Sequence, residues 1–148
     1  MQSLNLPNCT LKISQIKGKR FIYDPVRRKK VALTPEEWVR QHFVNYLITE
    51  KKYPKERIAN EVTVSLNGMS RRCDTVVYNQ FLEPIVIVEY TAPSVPITQD
   101  VFEQITRYNS CLRVDILIVT NGLEHYCCRI DNNTSTYIYL KEIPEYDN

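Results

Sequence analysis

Apolar and polar positions along the chain follow two rhythms, and the switches between them place the elements. From Glu61 onward the rhythm is that of strands. EVTVSL and MSRRCDTVVY are separated by Asn67-Gly68, a pair that tolerates the positive φ of a type I′ turn and is the strongest short-range hairpin signal. Pairing Leu66 with Met69 across that turn sets Ser65 opposite Ser70, Val64 opposite Arg71 and Glu61 opposite Asp74. A third run, Ile85 to Thr91, is apolar and β-branched. A symmetric loop over Asn79 to Pro84 pairs Tyr78 with Ile85, and hence Asp74 with Glu89. Pro93 and Pro96 close this run.

Helical spacing brackets the meander. Val39, Phe43, Tyr46 and Leu47, with Trp38 beside them, predict a core-facing helix from Pro35 to about Lys52. Thr34 suits the N-cap, Pro35 the first helical position, and Glu37 completes a Thr-x-x-Glu capping box by reaching back to the Thr34 backbone. After the meander, SVPITQDVFEQITRYNSCL reads as a second helix capped by Thr98, with Val101, Ile105, Tyr108 and Leu112 on one face. Gln104 and Tyr108, four apart, are neighbours on its surface. RVDILIVT is a continuous apolar run of strand length, as expected for a strand buried on both faces. A strand, helix and strand form a crossover, which sets this strand parallel to the third run. Asn121-Gly122 turns the chain into LEHYCCRI, and DNNTS separates that from TYIYLKEI, both readable as strands. Near the N-terminus, LKISQI reads as a short strand and KGKRFIYDPVRRKKVAL as two more around Asp24-Pro25. The expected class is α/β: a mixed sheet made of an antiparallel three-strand meander, a crossover helix and a parallel strand, flanked by helices. We expect a single domain over 1–148, with 1–33 as an N-terminal β-hairpin extension.

Composition adds limits. The 148 residues suffice for one real core, and 43% hydrophobic with 24% charged residues is ordinary for a globular protein. No apolar run approaches membrane-spanning length, and MQSLNLPNCT lacks the charged and apolar regions of a signal peptide, so a cytoplasmic location is expected. Five cysteines without a CxxC pair read as free thiols, and with only His42 and His125 available they argue against a zinc site. A net charge of +2 announces no nucleic-acid partner. Its distribution says more, because Lys17, Lys19, Arg20, Arg27, Arg28, Lys29 and Lys30 crowd into one segment. Such a run either contacts phosphates or forms a solvated face.

The predicted registers put Glu61, Asp74 and Glu89 in one row. Like charges directly opposed destabilise a sheet, so the row makes sense if a divalent cation or a proton neutralises it, and hard oxygen ligands suit Mg²⁺ or Mn²⁺. A one-residue slip sends an acid to the other face. Asp74 would then be a surface residue and Glu89 a partner for Arg72. The residues alone leave both arrangements open.

An Asp on one strand, a Glu-x-Lys-like tripeptide on the next, and a helix carrying Gln-x-x-x-Tyr resemble the PD-(D/E)XK nuclease superfamily. More narrowly, TPEEWVRQHF, EVTVSLNG, RRCD, IVIVEYTAPSVP, FEQITRYN and TNGLEHY resemble the N-terminal nuclease domain of type I restriction enzyme R subunits and its small stand-alone relatives, over roughly Arg20 to Tyr126. The resemblance implies a restriction-endonuclease-like fold, hydrolysis of DNA phosphodiesters with Mg²⁺ or Mn²⁺, and other restriction-modification subunits as partners. It makes Asp74 the metal-binding aspartate, Glu89 the acid that shares the metal, Glu37 the acidic residue of the first helix, and Gln104 with Tyr108 the helical motif beside the site. Arg72, on the strand face of Asp74, would hold a phosphate or offset the acids. Arg27, Arg28, Lys29 and Lys30 would contact nucleic acid.

A lysine two residues past the Glu normally orients the attacking water, and here that position is Thr91. Thr91 donates one hydrogen bond but carries no charge, and loss of a preorganised charge-stabilising group costs about 10²-fold in rate or more. Arg72, Lys29 and Lys30 are the cations that would substitute. Two functions follow: a divalent-metal-dependent DNA endonuclease, or a catalytically inactive module that binds nucleic acid or a protein partner through the same sheet. No G-x-x-x-x-G-K-[ST] occurs, so ATP-driven translocation would come from elsewhere. His125 is assigned no role.

Overall fold

A computed structural model describes residues 1–66, 68–131, 133–134 and 136–147. Asn67 of the expected turn, Asn132 and Ser135 of the DNNTS connection, and the side chains of Leu66 and Cys111 lie outside the described residues. Three short strands, β1 (Ile13–Ile16), β2 (Lys19–Asp24) and β3 (Lys29–Ala32), form an antiparallel sheet, in which the strand expected in LKISQI pairs with the hairpin around Asp24-Pro25. Helix α1 (Pro35–Thr49) leads to β4 (Ile58–Leu66), β5 (Met69–Tyr78) and β6 (Pro84–Tyr90). Helix α2 (Gln99–Asn109) then crosses to β7 (Ile116–Thr120), followed by β8 (His125–Asp131) and β9 (Thr136–Leu140). These six strands lie in chain order in one sheet, and β6–β7 is its parallel pair. The mixed α/β class expected from the sequence is the one observed. Among the described residues, no helix is long and apolar enough to cross a membrane.

The two helices cover opposite faces because β6 and β7 alternate. Val86, Val88, Ile116 and Ile118 pack with Val39, Phe43 and Leu47 of α1. Their neighbours Ile87, Leu117 and Val119 pack with Phe102 of α2 and with Leu112. Burial of a side chain such as Phe43 or Leu47, both 0% exposed, contributes about 1.5–3 kcal/mol. The packing of α1 therefore outweighs its capping.

That capping is half of the expected box. Thr34 Oγ1 accepts from the Glu37 N–H at 3.0 Å, but the Thr34 N–H donates to Ala32 O, and the Glu37 carboxylate goes elsewhere. α1 also stops at Thr49, short of Lys52, whose φ of 64° belongs to the turn that delivers Tyr53 into the core.

In α2 the buried face is Phe102, Thr106 and Asn109, rotated from the expected stripe; Tyr108 is 47% exposed. Leu112 misled the periodicity. It is fully buried, but from a separate 3₁₀ turn, Ser110–Leu112, that re-aims it. Cys9, Cys127 and Cys128 are free thiols.

Candidate functional site

The expected register of β4 and β5 holds from Ile58–Val77 to Leu66–Met69, with one omission: no ladder pair forms between Glu61 and Asp74. Glu61 has φ 56°, an uncommon conformation for a residue with a side chain. The break changes which face each side chain meets. Val62 and Cys73 pack on the α2 side, whereas Thr75, two residues on, bonds Tyr90 and Asn60. Such irregularities re-aim side chains beside functional sites. Asp74 stands at the break.

Strands β5 and β6 keep the expected register from Val77–Val86 to Thr75–Val88, while Tyr78 meets Pro84 in place of Ile85. Beyond Thr75–Val88 the ladder stops. The next N–H, that of Tyr90, donates to Asp74 Oδ2 at 3.0 Å. Glu89 lies near Asp74, with Asn109 of α2 also alongside. Burial pushes the Glu89 carboxyl well above the usual range, and the negative charge of Asp74 adds to that rise. Its Oε1 is buried without a hydrogen-bond partner, as is Oγ1 of Thr91.

The other expected acids do not join this pair. Glu61 bonds Arg40 at 2.6 Å and Arg72 at 3.3 Å. Burial would raise its pKa, but Arg40 and then Arg72 outweigh that and hold it below its usual value. Glu37 accepts from Arg27 (2.7 Å) and Gln41 (2.8 Å), with Arg40 at 3.2 Å. Among the described residues, no group of three or more His, Cys, Asp and Glu side chains is placed to hold a metal. The three-acid row is thus corrected to a pair, because the positive φ of Glu61 turns its carboxylate to the arginines. A pair still fits a hard cation, since Mg²⁺ commonly takes one or two carboxylates and completes its shell with waters and phosphate oxygens.

Sequence reading missed Arg40. It is 6% exposed, donates from Nη1 to Asp74 O at 2.5 Å and from Nη2 to Glu61, and lies over the Tyr90 ring. An arginine on an amphipathic helix ordinarily reads as a solvated side chain, and no local signal marks this one. With Arg27, Glu37, Glu61, Asp74 and Tyr90 it lines an open cavity of about 400 Å³.

Beneath the cavity, a polar chain ties the small sheet to the site. Tyr90 Oη donates to Thr75 Oγ1, Thr75 to Asn60 Oδ1, and Asn60 Nδ2 to Asp24, which is also bonded to Arg27. Burial would raise the Asp24 pKa, but Arg27, Asn60 and the Val26 N–H together lower it.

On the other face, Gln104 and Tyr108 line a hollow with Glu89, Tyr90, Ile105 and Asn109, and the Arg71 guanidinium lies 5.1 Å from the Tyr108 ring centroid. Arg72 is exposed and turned to Glu61. Arg28, Lys29 and Lys30 are exposed on or beside β3, whereas Arg27 is engaged by Asp24 and Glu37. His125 bonds Thr120 and the Asn5 carbonyl, away from the acids.

Comparison with known proteins bears on the fold and the family. The chain is similar to the fragment structure of a protein assigned as an HsdR subunit of a type I restriction enzyme from Vibrio vulnificus YJ016. The match has a TM-score of 0.52 and 20% identity, and covers 76% of this chain. The match spans 24% of that fragment, and at this identity it speaks for the fold alone. A search of curated proteins finds no significant match. Residues 35–144 match the family described as type I restriction enzyme R protein N terminus (HSDR_N). That region begins at the first residue of α1 and takes in both the Asp74–Glu89 pair and the arginine beside it, and the chain belongs to this family.

Proposed function

We propose that this domain is a divalent-metal-dependent DNA endonuclease of restriction type, in which Asp74 and Glu89 hold Mg²⁺ or Mn²⁺. The observation that carries the reading is a concentration of unmet polar groups. Of four buried side-chain atoms without a partner among the described residues, one is Glu89 Oε1 of the pair itself, one is Thr91 Oγ1 two residues on, and one is Nε of Arg40, whose Nη1 bonds the Asp74 carbonyl. Buried polar atoms are nearly always satisfied, so these exceptions beside two neighbouring carboxylates point to a bound ion and its water. The cation would supply charge neutralisation for the acids and polarisation of the scissile phosphate.

The chain's own groups have separable tasks. The Tyr90 N–H and the ladder up to Thr75–Val88 fix Asp74. Asn109 and burial fix Glu89, and the Tyr90–Thr75–Asn60–Asp24 chain keeps the strand end from shifting. Arg28, Lys29 and Lys30, next to the cavity-lining Val31 and Ala32, would meet the DNA backbone, with other restriction-modification subunits as partners. Thr91 favours a second reading, a module that binds nucleic acid without cutting it.

The test is cleavage of supercoiled plasmid with Mg²⁺ or Mn²⁺, run beside Asp74→Ala purified identically. Cleavage lost in the variant supports the nuclease. Equal activity of both proteins on several DNAs removes autonomous catalysis.

A further inference from the structure

Charge is unevenly divided along this chain. Residues 1–33 hold eight of the 19 basic residues and one of the 17 acidic ones, Asp24, so they carry a net +7 while the other 115 residues carry −5. That single acid is 1% exposed and bonded to Arg27. Arg27 apart, no Lys or Arg of this segment is in an ion pair among the described residues. The small sheet is therefore the positive pole of the domain, with its charge free to meet a polyanion. We propose that its outer face binds an unpaired stretch of DNA, with the rings of Phe21 and Tyr23 stacking on bases and Lys12, Lys19 and Lys30 holding phosphates. The inference rests on the DNA-acting part of the reading above and names the form of DNA that the domain meets.

The alternation of β2 sets the rings outward. Ile22 and Asp24 are 0% and 1% exposed, and Asp24 accepts from Asn60 of β4, so their face lies against the main sheet. Phe21 and Tyr23 occupy the opposite face and are half-buried. Phe21 pairs with Ser14 on one side and Ala32 on the other, side chains too small to cover a ring. Tyr23 pairs with Lys30, and from the β1 side Lys12 Nζ lies 5.8 Å from its ring centroid. Lys19, two residues before Phe21 and so on the same face, pairs with Ile16. Successive rows, about 7 Å apart, thus present a cation, a bare ring, and a ring between two cations.

This alternation suits one form of DNA. A duplex keeps its bases stacked inside and offers a surface of this kind only phosphates, for which lysines suffice. Rings set among lysines match a single strand, because every base has a π-face and stacking is sequence-tolerant. Sheets that bind single-stranded RNA use aromatic side chains on an open face in the same way. The face also leads to the acid pair. β3 is an edge strand of the small sheet, and Ala32, in the row of Phe21, lines the cavity together with Asp74 and Arg40. A strand lying across the rings passes over Ala32 toward that cavity.

The test is fluorescence anisotropy of the full chain in EDTA, where no metal-dependent cleavage intrudes, with a labelled oligo(dT) and a duplex of the same length. The single strand should bind more tightly than the duplex. Phe21→Leu/Tyr23→Leu should weaken oligo(dT) binding by at least about fivefold, the low end for one lost stacking contact, and leave duplex binding unchanged. Lys12→Gln/Lys19→Gln/Lys30→Gln should weaken both and flatten the salt slope on the single strand by about 2. Irradiated wild type bound to bromodeoxyuridine-substituted oligonucleotide should crosslink at Phe21 or Tyr23 by mass spectrometry, which decides the matter should the leucine pair fail to fold. A duplex bound as tightly as oligo(dT), a folded leucine pair that binds like wild type, or crosslinks confined to other residues overturns the proposal. Binding of neither DNA overturns it together with the DNA-acting reading. A protein that binds oligo(dT) through these rings but leaves plasmid uncut removes the nuclease and leaves the stacking face standing.

Discussion

Glu89→Gln removes a titration while keeping a shape, and its effect on stability can be worked out from the site. The Glu89 carboxyl has a folded pKa raised above its ordinary 4.5, by burial first and by the charge of Asp74 second. The folded state therefore holds a proton that the unfolded chain has released, and stability falls as pH rises through that window. Below about pH 4.5 both states are protonated, and the substitution should be close to neutral. Above it, wild type loses about 1.4 kcal/mol per pH unit for as long as Glu89 stays protonated in the fold, and the glutamine variant does not. Between pH 5 and 7 the difference grows by about 3 kcal/mol. At roughly 3 °C per kcal/mol for a domain of this size, the gap in Tm should widen by about 8 °C. Thermal melts in metal-free buffer at pH 5, 6, 7 and 8 measure this, and added Mn²⁺ should shrink the gap by stabilising wild type alone. A gap that stays constant with pH, or a variant less stable than wild type at pH 7, would refute the account of Glu89 as a half-buried carboxyl kept protonated beside Asp74.

Arg40→Met should cost about 3–5 kcal/mol in urea unfolding, because it strands the Asp74 carbonyl and leaves Glu61 with only the exposed Arg72. A loss below about 1 kcal/mol would mean that the arginine network is ornamental. Gly122→Ala should lower the unfolding midpoint by about 1 kcal/mol or more, since φ is +88° there and a Cβ would come within 2.8 Å of Leu4 Cδ2. An unchanged midpoint would contradict that. Replacing Arg28, Lys29 and Lys30 together by Gln should weaken DNA binding regardless of sequence and reduce the salt slope by up to about 3. An unchanged slope would place the phosphate track elsewhere.

Local chemistry made much of the fold legible before any coordinates. Asn67-Gly68 and the alternation around it settle the β4–β5 register, and the buried run Ile116–Thr120 has to follow a crossover. Thr34 and Pro35 mark the start of α1 because caps act through adjacent residues. What escaped depended on distant partners. Nothing local to Glu61 announces a positive φ; the break makes sense only with Arg40, twenty-one residues earlier, to receive the carboxylate. Arg40 itself was invisible for the same reason. Asp24 looked like a turn residue and is one, since its carboxylate accepts from the Val26 N–H, but its 1% exposure comes from Asn60 and Arg27 closing over it. The face of α2 was misread because Leu112 fits the helical period while belonging to the next turn.

The most direct test of the central claim is a calorimetric titration of Mn²⁺ into metal-free wild-type protein and into Asp74→Asn, at a pH where both are folded. One saturable site in wild type, absent from the variant and accompanied by proton release from Glu89, is the predicted result. Equal binding by both proteins, or none by wild type, would contradict it.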